Sequence, residues 1–419
     1  MKIIYDLIFL FLSSFYLGYC LLKGKSLEGF FSRCKFLSKD LAFNKGSIWI
    51  HAVSVGEVLS IKNLVENLKR RYRDKKIVIT TITSTGNRLA KSIFKEEAIF
   101  YLPLDLSFLI DRFIKRLNPS LLILVETELW PNLISNLYQK RIPIVLINAR
   151  LSPASFKGYL LIKLWISSLL NKIDIFCVQT ETDYKRFLKL GLNPNKLKIT
   201  GNMKFDLMKQ FSESTQDYRK TLMLEPRDIL LVAGSTHPGE EKIIIEVYKR
   251  LITQIKNLKL LIAPRHPERS KKIAELIGNF GFSSVFVSEL PKDNSDYKVF
   301  ILDTLGRLID FYRIADIVFV GGSLVKKGGH NILEPAFFKK PIIFGPYMFN
   351  FKDISNQFLE KNASLVVRNK EELFQRIKEL LENPQKCSSL GENAFKLILE
   401  NQGATERNLK WIEYIFSGT

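Results

Sequence analysis

Three ionisable side chains in the first half of the chain, Glu57, Glu126 and Lys204, follow short apolar segments of the kind that form buried strands. A glutamate in the first turn of a helix is kept ionised by the helix dipole. An ionised carboxylate can accept a proton from an attacking hydroxyl, and a nearby lysine could balance negative charge that develops in a transition state. The residue types therefore indicate acid–base chemistry at the carboxyl ends of strands.

Each of these residues also has a structural interpretation. Glu57 could simply cap the helix that it begins, because glutamate is common at that position. Glu126 and Glu128 flank one threonine, so that one could face the site while the other caps the helix that Pro131 begins. Glu126 is nearer the strand end and is the preferred site residue. Lys204 could be an ordinary exposed lysine.

The second half contains three strand-to-helix junctions that are rich in hydrogen-bond donors. Hydroxyl, amide, imidazole and guanidinium donors at a helix start are the groups that hold a phosphate. Glu334, one turn into its helix, could accept hydrogen bonds from ribose hydroxyls. Together the junctions predict a nucleotide-binding domain, and ordinary loop glycines are the alternative. The donor residues in them are Ser235, Thr236, Arg265, His266, His330 and Asn331.

Motifs for several other chemistries are absent from the sequence. There is no GxxxxGK[ST] phosphate loop, no HExxH zinc motif, no GxSxG nucleophile turn and no paired Asp-x-Asp. The four cysteines and four histidines form no cluster with metal-ligand spacing. We therefore expect a mechanism without a metal or another cofactor. No helix-turn-helix, zinc finger or RNP-like pattern supports a nucleic-acid partner.

Composition describes a globular protein with an anionic partner. The chain has 419 residues, of which 46% are apolar and 25% charged, and this excludes disorder as a description of the whole chain. Lysine and arginine outnumber aspartate and glutamate by 63 to 42, so that the formal charge is +21. Such a charge favours binding to a negatively charged partner, which could be nucleic acid, an anionic membrane surface or a phosphorylated substrate. A lysine-rich surface without a specific role is the alternative.

The segments that must position these residues alternate between strand-like runs and helical patterns. The alternation predicts parallel sheets covered by helices on both faces. A polar stretch, residues 202–228, separates two α/β domains at residues 45–205 and 225–400, and a long helical pattern over residues 385–416 closes the chain. The strand-like runs cover residues 47–53, 76–82, 120–126, 143–148, 174–179, 229–234, 258–264, 316–321 and 341–345.

Two apolar segments indicate a membrane. Residues 3–22 are long enough to cross a bilayer as a helix, and the basic residues that follow place the rest of the chain in the cytoplasm. We predict an anchor over residues 1–24 that either spans the bilayer or lies flat, with a cleaved signal peptide as the alternative. Residues 156–170 predict a helix that is apolar nearly all round. Such a helix is either buried in the core or in contact with an anionic bilayer.

Eight motifs, in order along nearly the whole chain, resemble those of the 3-deoxy-D-manno-octulosonic acid (Kdo) transferases of lipopolysaccharide synthesis. Ordered coverage of this extent is far more specific than any single motif. The motifs are HAVSVGE at 51–57, ETELWPNL at 126–133, NARLS at 148–152, GNMKFD at 201–206, STHPGEE at 235–241, PRHPER at 264–269, VGGSLVKKGGHNILE at 320–334 and FNFKDI at 349–354.

The resemblance implies an α/β protein with the GT-B glycosyltransferase fold, in which two Rossmann-like domains face a cleft. An N-terminal membrane-anchor helix would precede the two domains in the sequence. Residues 45–205 would bind the acceptor, residues 225–400 the donor, and a last helix at 401–419 would return to the first domain. The implied reaction is inverting transfer of Kdo from CMP-Kdo to the lipid A precursor, lipid IVA. It would occur at the anionic surface of the bacterial inner membrane, on the cytoplasmic side, without a cofactor or nucleic acid.

The family's functional positions fall on particular residues of this chain. The general base falls on Glu57, and the two transition-state-stabilising positions fall on Glu126 and Lys204. Ser235, Thr236, His266 and His330 are further candidates for donor contacts. The CMP contacts fall on Pro264, Arg265, Leu305, Gly306, Arg307, Asn331, Ile332, Leu333 and Glu334.

Two positions depart from the family pattern. Arg307 stands where an acidic residue is usual beside the donor site, and Ile332 stands where proline is common. The arginine is harmless if the family contact is through backbone N–H, and it alters donor affinity or specificity if the contact is through the carboxylate. Two alternatives therefore stay open: a GT-B transferase that uses another nucleotide sugar, and a non-catalytic membrane-bound adaptor that retains the nucleotide fold.

Overall fold

The computed structural model describes residues 5–11, 13–15, 33, 46–210, 217–290 and 297–417 of the protein. The chain divides into two compact units. The first unit consists of Met1–Leu207 together with Asn401–Thr419, and the second unit is Met208–Glu400.

A seven-stranded sheet in the order β3-β2-β1-β4-β5-β6-β7 forms the centre of the first unit. All neighbouring strands are parallel. Most are runs of Ile, Leu and Val, which suit a parallel sheet that is buried on both faces. The predicted α/β architecture is therefore confirmed here. The strands are β1 Ser47–His51, β2 Lys76–Thr81, β3 Ala98–Tyr101, β4 Pro119–Val125, β5 Ile144–Ala149, β6 Ile175–Val178 and β7 Leu197–Ile199.

Helices cover both faces of this sheet. Successive strand side chains point to opposite faces, so that Trp49 packs in one apolar cluster with Leu122, whereas Ile48 and Ile50 pack in another. The helices are α1 Val55–Ser60, α2 Lys62–Arg71, α3 Ser84–Ile93, α4 Ser107–Leu117, α5 Pro131–Gln139, α6 Pro153–Leu161, α7 Lys163–Leu170 and α8 Glu181–Lys189, with 3₁₀ turns at Pro194–Lys196 and Met203–Gln210.

The second unit has its own seven-stranded parallel sheet in the order β10-β11-β9-β8-β12-β13-β14. Its strands are β8 Ile229–Thr236, β9 Leu258–Pro264, β10 Ser284–Phe286, β11 Val299–Ile301, β12 Ile317–Val320, β13 Ile342–Phe344 and β14 Leu365–Val366. Its helices are α9 Tyr218–Thr221, α10 Glu240–Ile252, α11 Ser270–Asn279, α12 Leu308–Ile314, α13 Leu333–Phe337, α14 Lys352–Glu360, α15 Lys370–Glu382 and α16 Pro384–Asn401, with 3₁₀ turns at Pro267–Arg269 and Val287–Glu289.

A glycine brings two strand ends of the second unit into close contact. Gly321 directly follows β12, and a Cβ atom at this position would lie 2.5 Å from the carbonyl oxygen of Ser235 at the end of β8. Only a residue without a side chain fits there. The loops after β8 and β12 therefore share one packed edge.

The long helical pattern predicted over residues 385–416 is two helices. The first, α16, ends at Asn401, and the second, α17, spans Ala404–Ser417 and packs its buried Leu409 and Ile412 in the core of the first unit. Gly403, with a φ of 86°, makes the break. A left-handed glycine commonly ends a helix, because this backbone conformation costs it nothing.

Asp206 holds the start of α17. Its Oδ1 accepts a hydrogen bond from Gly403 N at 2.6 Å and its Oδ2 accepts one from Thr405 N at 2.5 Å. A buried carboxylate at a helix start satisfies backbone donors that have no partner within the helix.

We expect Asp206→Ala to lower the free energy of unfolding of the first unit by about 2 kcal/mol, because two backbone N–H groups lose their acceptor. Urea denaturation followed by tryptophan fluorescence measures this unit selectively, since all four tryptophans of the chain lie in it. The control is Glu406→Ala, which removes an exposed carboxylate from the same helix. Equal stability of the Asp206 variant and the wild type would refute the capping role.

The predicted N-terminal anchor falls largely outside the described residues. Residues 5–11 and 13–15 are helical. The Asp6 carboxylate, which interrupts the apolar run, accepts hydrogen bonds from the backbone N and hydroxyl of Ser107 and from Asn132 Nδ2. Within the described ranges, the structure contains no helix with the length and apolar character that a membrane span requires.

The second apolar segment, residues 156–170, is not one helix. It lies in α6 and α7, which meet at Ile162. Core burial accounts for only part of it: Ile166, Leu169 and Leu170 are buried, whereas Leu161 and Leu164 are 88% and 91% exposed. The exposed leucines form an apolar surface on the first unit.

Candidate functional site

Glu57 lies in the first turn of α1, immediately after the loop that follows β1. Its Oε2 accepts a hydrogen bond from Val53 N at 2.8 Å, and its Oε1 accepts one from Ser54 Oγ at 2.7 Å. Ser54 in turn is the N-cap of the helix. The capping interpretation is therefore realised in the structure, and the same contacts hold the carboxylate in a fixed position.

Burial changes the acid–base properties of Glu57. The side chain is almost inaccessible, and desolvation raises the pKa of its carboxyl above that of an ordinary glutamate. The negative charge of Glu126 raises the pKa further, whereas the hydrogen bonds from Ser54 and Val53 oppose the increase. A carboxylate with a raised pKa is a stronger proton acceptor.

Glu126 follows β4 directly and has the left-handed backbone conformation, with a φ of 56°. This conformation is uncommon for a residue with a side chain and often occurs at functional positions. Two cations hold the carboxylate: Arg150 Nε lies 2.9 Å from Oε2, and Lys204 Nζ lies 3.5 Å from Oε1.

Lys204 also lies close to the start of α1. A Cβ atom at Gly56 would be 3.9 Å from Lys204 Nζ. The lysine backbone is fixed, because Asn202 Oδ1 accepts a hydrogen bond from Lys204 N and Asn148 Oδ1 accepts one from Met203 N, each at 3.0 Å. The structure thus brings together Glu57, Glu126 and Lys204, which are far apart in sequence.

Glu128 belongs to the same cluster and does not cap the next helix. Burial, followed by the charge of Glu57, raises the pKa of Glu128 to about 7. Asp105, from a different loop, supplies the acceptor instead: its carboxylate accepts hydrogen bonds from Asn132 N and Leu133 N in the first turn of α5, whose N-cap residue is Trp130. The interpretation that one of the two glutamates caps this helix is therefore wrong.

The cluster contains three carboxylates, those of Glu57, Glu126 and Glu128, and two cations, Arg150 and Lys204. Both cations lie against Glu126. The two remaining carboxyl groups have raised pKa values, that of Glu128 to about 7, so that both hold a proton more readily than an ordinary glutamate does. The arrangement suits removal of a proton from a hydroxyl with positive charge held nearby.

In the second unit, the three donor-rich junctions lie at the carboxyl ends of three neighbouring strands. The strands are β9, β8 and β12, in that spatial order. Arg265 and His266 follow β9, Ser235 and Thr236 end β8, and the loop after β12 leads to His330. Ligands of such sheets bind beyond the carboxyl ends of the strands.

Glu240 joins two of these loops. Its Oε2 accepts hydrogen bonds from His237 N at 2.9 Å and Gly322 N at 2.7 Å. Its Oε1 accepts hydrogen bonds from Ser323 N at 3.0 Å and Leu324 N at 2.9 Å. The carboxylate is fully buried, so that these four backbone donors replace its hydration.

Glu334 and Asn331 form a second small network in the second unit. Asn331 Nδ2 donates a hydrogen bond to Glu334 Oε1 at 3.0 Å, and Asn331 Oδ1 accepts one from Leu333 N at 3.1 Å. Burial raises the pKa of the Glu334 carboxyl. Ile332 and Leu333 are buried, so that a ligand would reach them through backbone atoms.

Leu305, Gly306 and Arg307 form an exposed turn before α12. Arg307 Nε donates a hydrogen bond to Asp310 Oδ2 at 2.8 Å, and its guanidinium donates another to the hydroxyl of Tyr218 at 2.5 Å. The arginine that departs from the family pattern is therefore paired with an acidic residue three positions later.

Pro264 is the last residue of β9 and is buried, and Arg265 N donates a hydrogen bond to Thr236 O at 3.0 Å. The Arg265 and His266 side chains are exposed at this edge. Within the described part of the chain, no group of three or more His, Cys, Asp or Glu side chains is arranged to hold a metal ion.

Comparison with known proteins assigns the chain to a family. Residues 28–207 match the family model described as 3-deoxy-D-manno-octulosonic-acid transferase (kdotransferase), and residues 217–397 match glycosyl transferases group 1. A Haemophilus influenzae protein named 3-deoxy-D-manno-octulosonic acid transferase is 41% identical over 367 residues, covering 86% of this chain and 85% of that protein. The chain belongs to the 3-deoxy-D-manno-octulosonic acid transferase family. It is a glycosyltransferase.

Other relatives and structures agree with this membership. A Rickettsia felis protein of the same name is 33% identical over 381 residues, or 90% of this chain and 81% of that protein. The solved structure of a glycosyltransferase from Rickettsia africae superimposes with a TM-score of 0.57 at 16% identity, covering 90% of this chain and all of that one. At such identity the likeness concerns the fold alone, and it supports the GT-B fold.

The acidic cluster lies wholly within the residues that match the Kdo transferase family model. Sequence reasoning identified Glu57, Glu126 and Lys204 but assigned no role to Arg150 or Glu128 as site residues. Arg150 follows β5 directly, just as Glu126 follows β4. Because β4 and β5 are neighbours, the strand-end rule could have identified this arginine.

Proposed function

We propose that this chain transfers Kdo from CMP-Kdo to a sugar hydroxyl of the lipid A precursor, lipid IVA, with inversion at the anomeric carbon. The family membership and the names of its relatives support the donor sugar. The carrying observation is the carboxylate of Glu57, fixed by Ser54 and Val53, desolvated, and next to the ion pairs of Glu126.

In this mechanism, Glu57 removes the proton from the acceptor hydroxyl as the oxygen attacks the anomeric carbon of Kdo. The bond between that carbon and the CMP phosphate oxygen breaks, and its electron pair leaves with CMP. Lys204 lies beside the cluster and would stabilise negative charge that develops during transfer. Glu126 holds Lys204 and Arg150 in place through its two ion pairs.

On the donor side, we propose that the strand-end loops of the second unit bind CMP. Arg265 supplies a forked, permanently charged donor for the phosphate. Glu334, which Asn331 orients, accepts hydrogen bonds from the ribose hydroxyls. Leu305, Gly306 and Arg307 would contact the nucleotide mainly through the backbone of their turn, because the Arg307 side chain binds Asp310 and Tyr218.

Mass spectrometry of lipid IVA tests this function directly. The lipid is incubated with the protein while CMP-Kdo is generated in the same reaction, since the donor is labile. A mass increase of one or more Kdo residues supports the proposal and counts the additions. No increase, with a known transferase active in parallel, contradicts it; transfer from UDP-sugars would then indicate another donor, and no transfer at all would indicate an adaptor.

We further propose that the protein acts at the cytoplasmic surface of the bacterial inner membrane. The formal charge of +21 favours an anionic leaflet. The apolar surface of α6 and α7 exposes the side chains of Leu161 and Leu164. Trp165, next to Leu164 in the sequence, is 40% exposed. An interfacial helix combines such apolar side chains with flanking lysines.

Changing Leu161 and Leu164 together to serine should reduce binding to anionic vesicles at least tenfold, because each leucine inserted into the bilayer contributes about 1.5–3 kcal/mol. Cosedimentation with vesicles of anionic phospholipid measures the change. Leu399→Ser is the matched control, since that leucine is 52% exposed on the second unit. Unaltered sedimentation of the double variant would exclude this surface from membrane binding.

A further inference from the structure

Two histidines of the second unit are in direct hydrogen-bond contact. His237 Nε2 and His330 Nε2 lie 2.9 Å apart, and the two ring planes differ by only 6°. Two imidazole nitrogens at this distance share one proton, because one must donate N–H and the other must accept. The pair therefore titrates as a unit rather than as two separate residues.

The surrounding fold holds both rings in this position. Glu240 accepts a hydrogen bond from the backbone N of His237 and also holds the loop that contains Gly322. A Cβ atom at Gly322 would lie 3.0 Å from His330 Cδ2 and 3.3 Å from His237 Cδ2. The glycine therefore leaves the space that the two rings occupy.

The groups that face the pair are mostly positive. Burial and the mutual contact lower the pKa of His330 to about 4, with further effects from Arg265 and His266. The pKa of His237 is lowered by burial, His266, Lys327 and Arg269 and raised by Glu241. Without an anion, the pair is therefore neutral at pH 7. A bound anion would offset the positive field and favour protonation.

We propose that His237 and His330 form a proton-sharing pair that takes up one proton when the phosphate of the nucleotide donor binds. This inference rests on the proposed function, and it makes His237 a positioning residue that acts through His330. In the neutral pair, one Nδ1 carries a proton and the other a lone pair. A proton from solvent adds to that lone pair, so that both rings carry Nδ1–H and the pair has one positive charge.

Calorimetry of CMP binding at pH 7, in two buffers with different ionisation enthalpies, measures the proton uptake. We expect the wild type to take up a larger fraction of a proton than His237→Gln, because glutamine can still hydrogen-bond to His330 but cannot titrate. The CMP phosphate, with a second pKa of about 6, is already mostly ionised at pH 7, so that the phosphate itself contributes little to the proton balance. Cytidine, which lacks the phosphate, should cause no uptake.

The pH dependence of CMP affinity provides the second readout. Linkage requires that the dissociation constant of the wild type rise by up to tenfold per pH unit between the pKa of the free pair and the higher pKa of the bound pair, the range in which binding takes up a proton. We expect a flatter profile for His237→Gln than for the wild type. Equal proton uptake and equal slopes in wild type and His237→Gln would overturn the proposal.

Failure of the proposed function would look different. A wild type that neither binds CMP nor transfers Kdo contradicts the donor assignment. In that case no nucleotide phosphate is available to protonate the pair, and the further proposal fails as well. Normal binding and transfer without differential proton uptake contradicts the pair alone. The thermal stability of His237→Gln is checked in parallel, and the backbone hydrogen bond to Glu240 is retained in this variant.

Discussion

Glu57→Gln lowers the turnover number of Kdo transfer by about 10²–10⁴-fold, which is the usual contribution of a general base. Glutamine keeps the size of the side chain and can still accept one hydrogen bond, but it cannot take the proton of the acceptor hydroxyl. CMP affinity should be unchanged, because the nucleotide is assigned to the second unit. Product formation on lipid IVA and calorimetry of CMP binding measure the two quantities.

Ser54→Ala separates proton transfer from helix capping. It removes the hydroxyl that caps α1 and contacts Glu57 Oε1 but leaves the carboxylate itself. We expect it to reduce turnover by less than about tenfold, since a lost cap costs roughly 1 kcal/mol. If Ser54→Ala and Glu57→Gln reduced turnover equally, the role of Glu57 would be positional rather than catalytic.

The pH profile gives an independent check on Glu57. The base must be ionised, so that kcat/KM falls as the pH decreases through its pKa. Burial raises that pKa, and the acid limb should therefore lie at a higher pH than that of an ordinary glutamate. A limb at or below the usual glutamate value would argue against Glu57 as the proton acceptor.

Glu240→Gln lowers the free energy of unfolding of the second unit by about 3 kcal/mol. Each oxygen of Glu240 accepts two backbone hydrogen bonds, so that replacing either oxygen by the NH₂ group of glutamine leaves two buried N–H groups without an acceptor and facing a like group. Urea denaturation followed by circular dichroism measures the loss. CMP affinity should fall with it, because only two of the four backbone N–H groups in the loops that begin at His237 and Gly322 keep an acceptor.

The matched control lies on the same helix. Glu246 is a partly exposed glutamate of α10 that pairs with Lys370 at 2.6 Å. Glu246→Gln should change stability by less than about 1 kcal/mol, as for other surface ion pairs. A Glu240→Gln variant that was as stable as Glu246→Gln would show that the four backbone hydrogen bonds to Glu240 contribute little.

The parallel sheets and the strand-end residues could be predicted from the sequence, because continuous apolar runs mark strands that are buried on both faces. The run predicted at residues 120–126 is β4, and Glu126 lies directly beyond it. Arg150 and Lys204 come to the same edge because their segments follow strands of the same sheet. Local pattern and topology therefore account for most of the cluster.

Contacts between distant segments could not be predicted in this way. Asp105, from another loop, accepts the hydrogen bonds at the start of α5. Glu128 is therefore not needed there, and it belongs to the acidic cluster instead. Likewise, His237 and His330 are 93 residues apart, and neither flanking sequence indicates their hydrogen bond. The exposure of Leu161 and Leu164 could not be predicted either, because an apolar helix has the same sequence pattern whether protein or lipid covers it.

The second unit is an insertion within the first, because the first unit consists of two segments of the chain that Asp206 joins at the start of α17. Because α17 packs in the core of the first unit, a stop codon after residue 400 would damage the unit that carries Glu57 while leaving the sequence of the second unit whole. Nascent chains must therefore complete the second unit before the first can acquire its last helix. The second unit, in contrast, is one continuous segment of the chain.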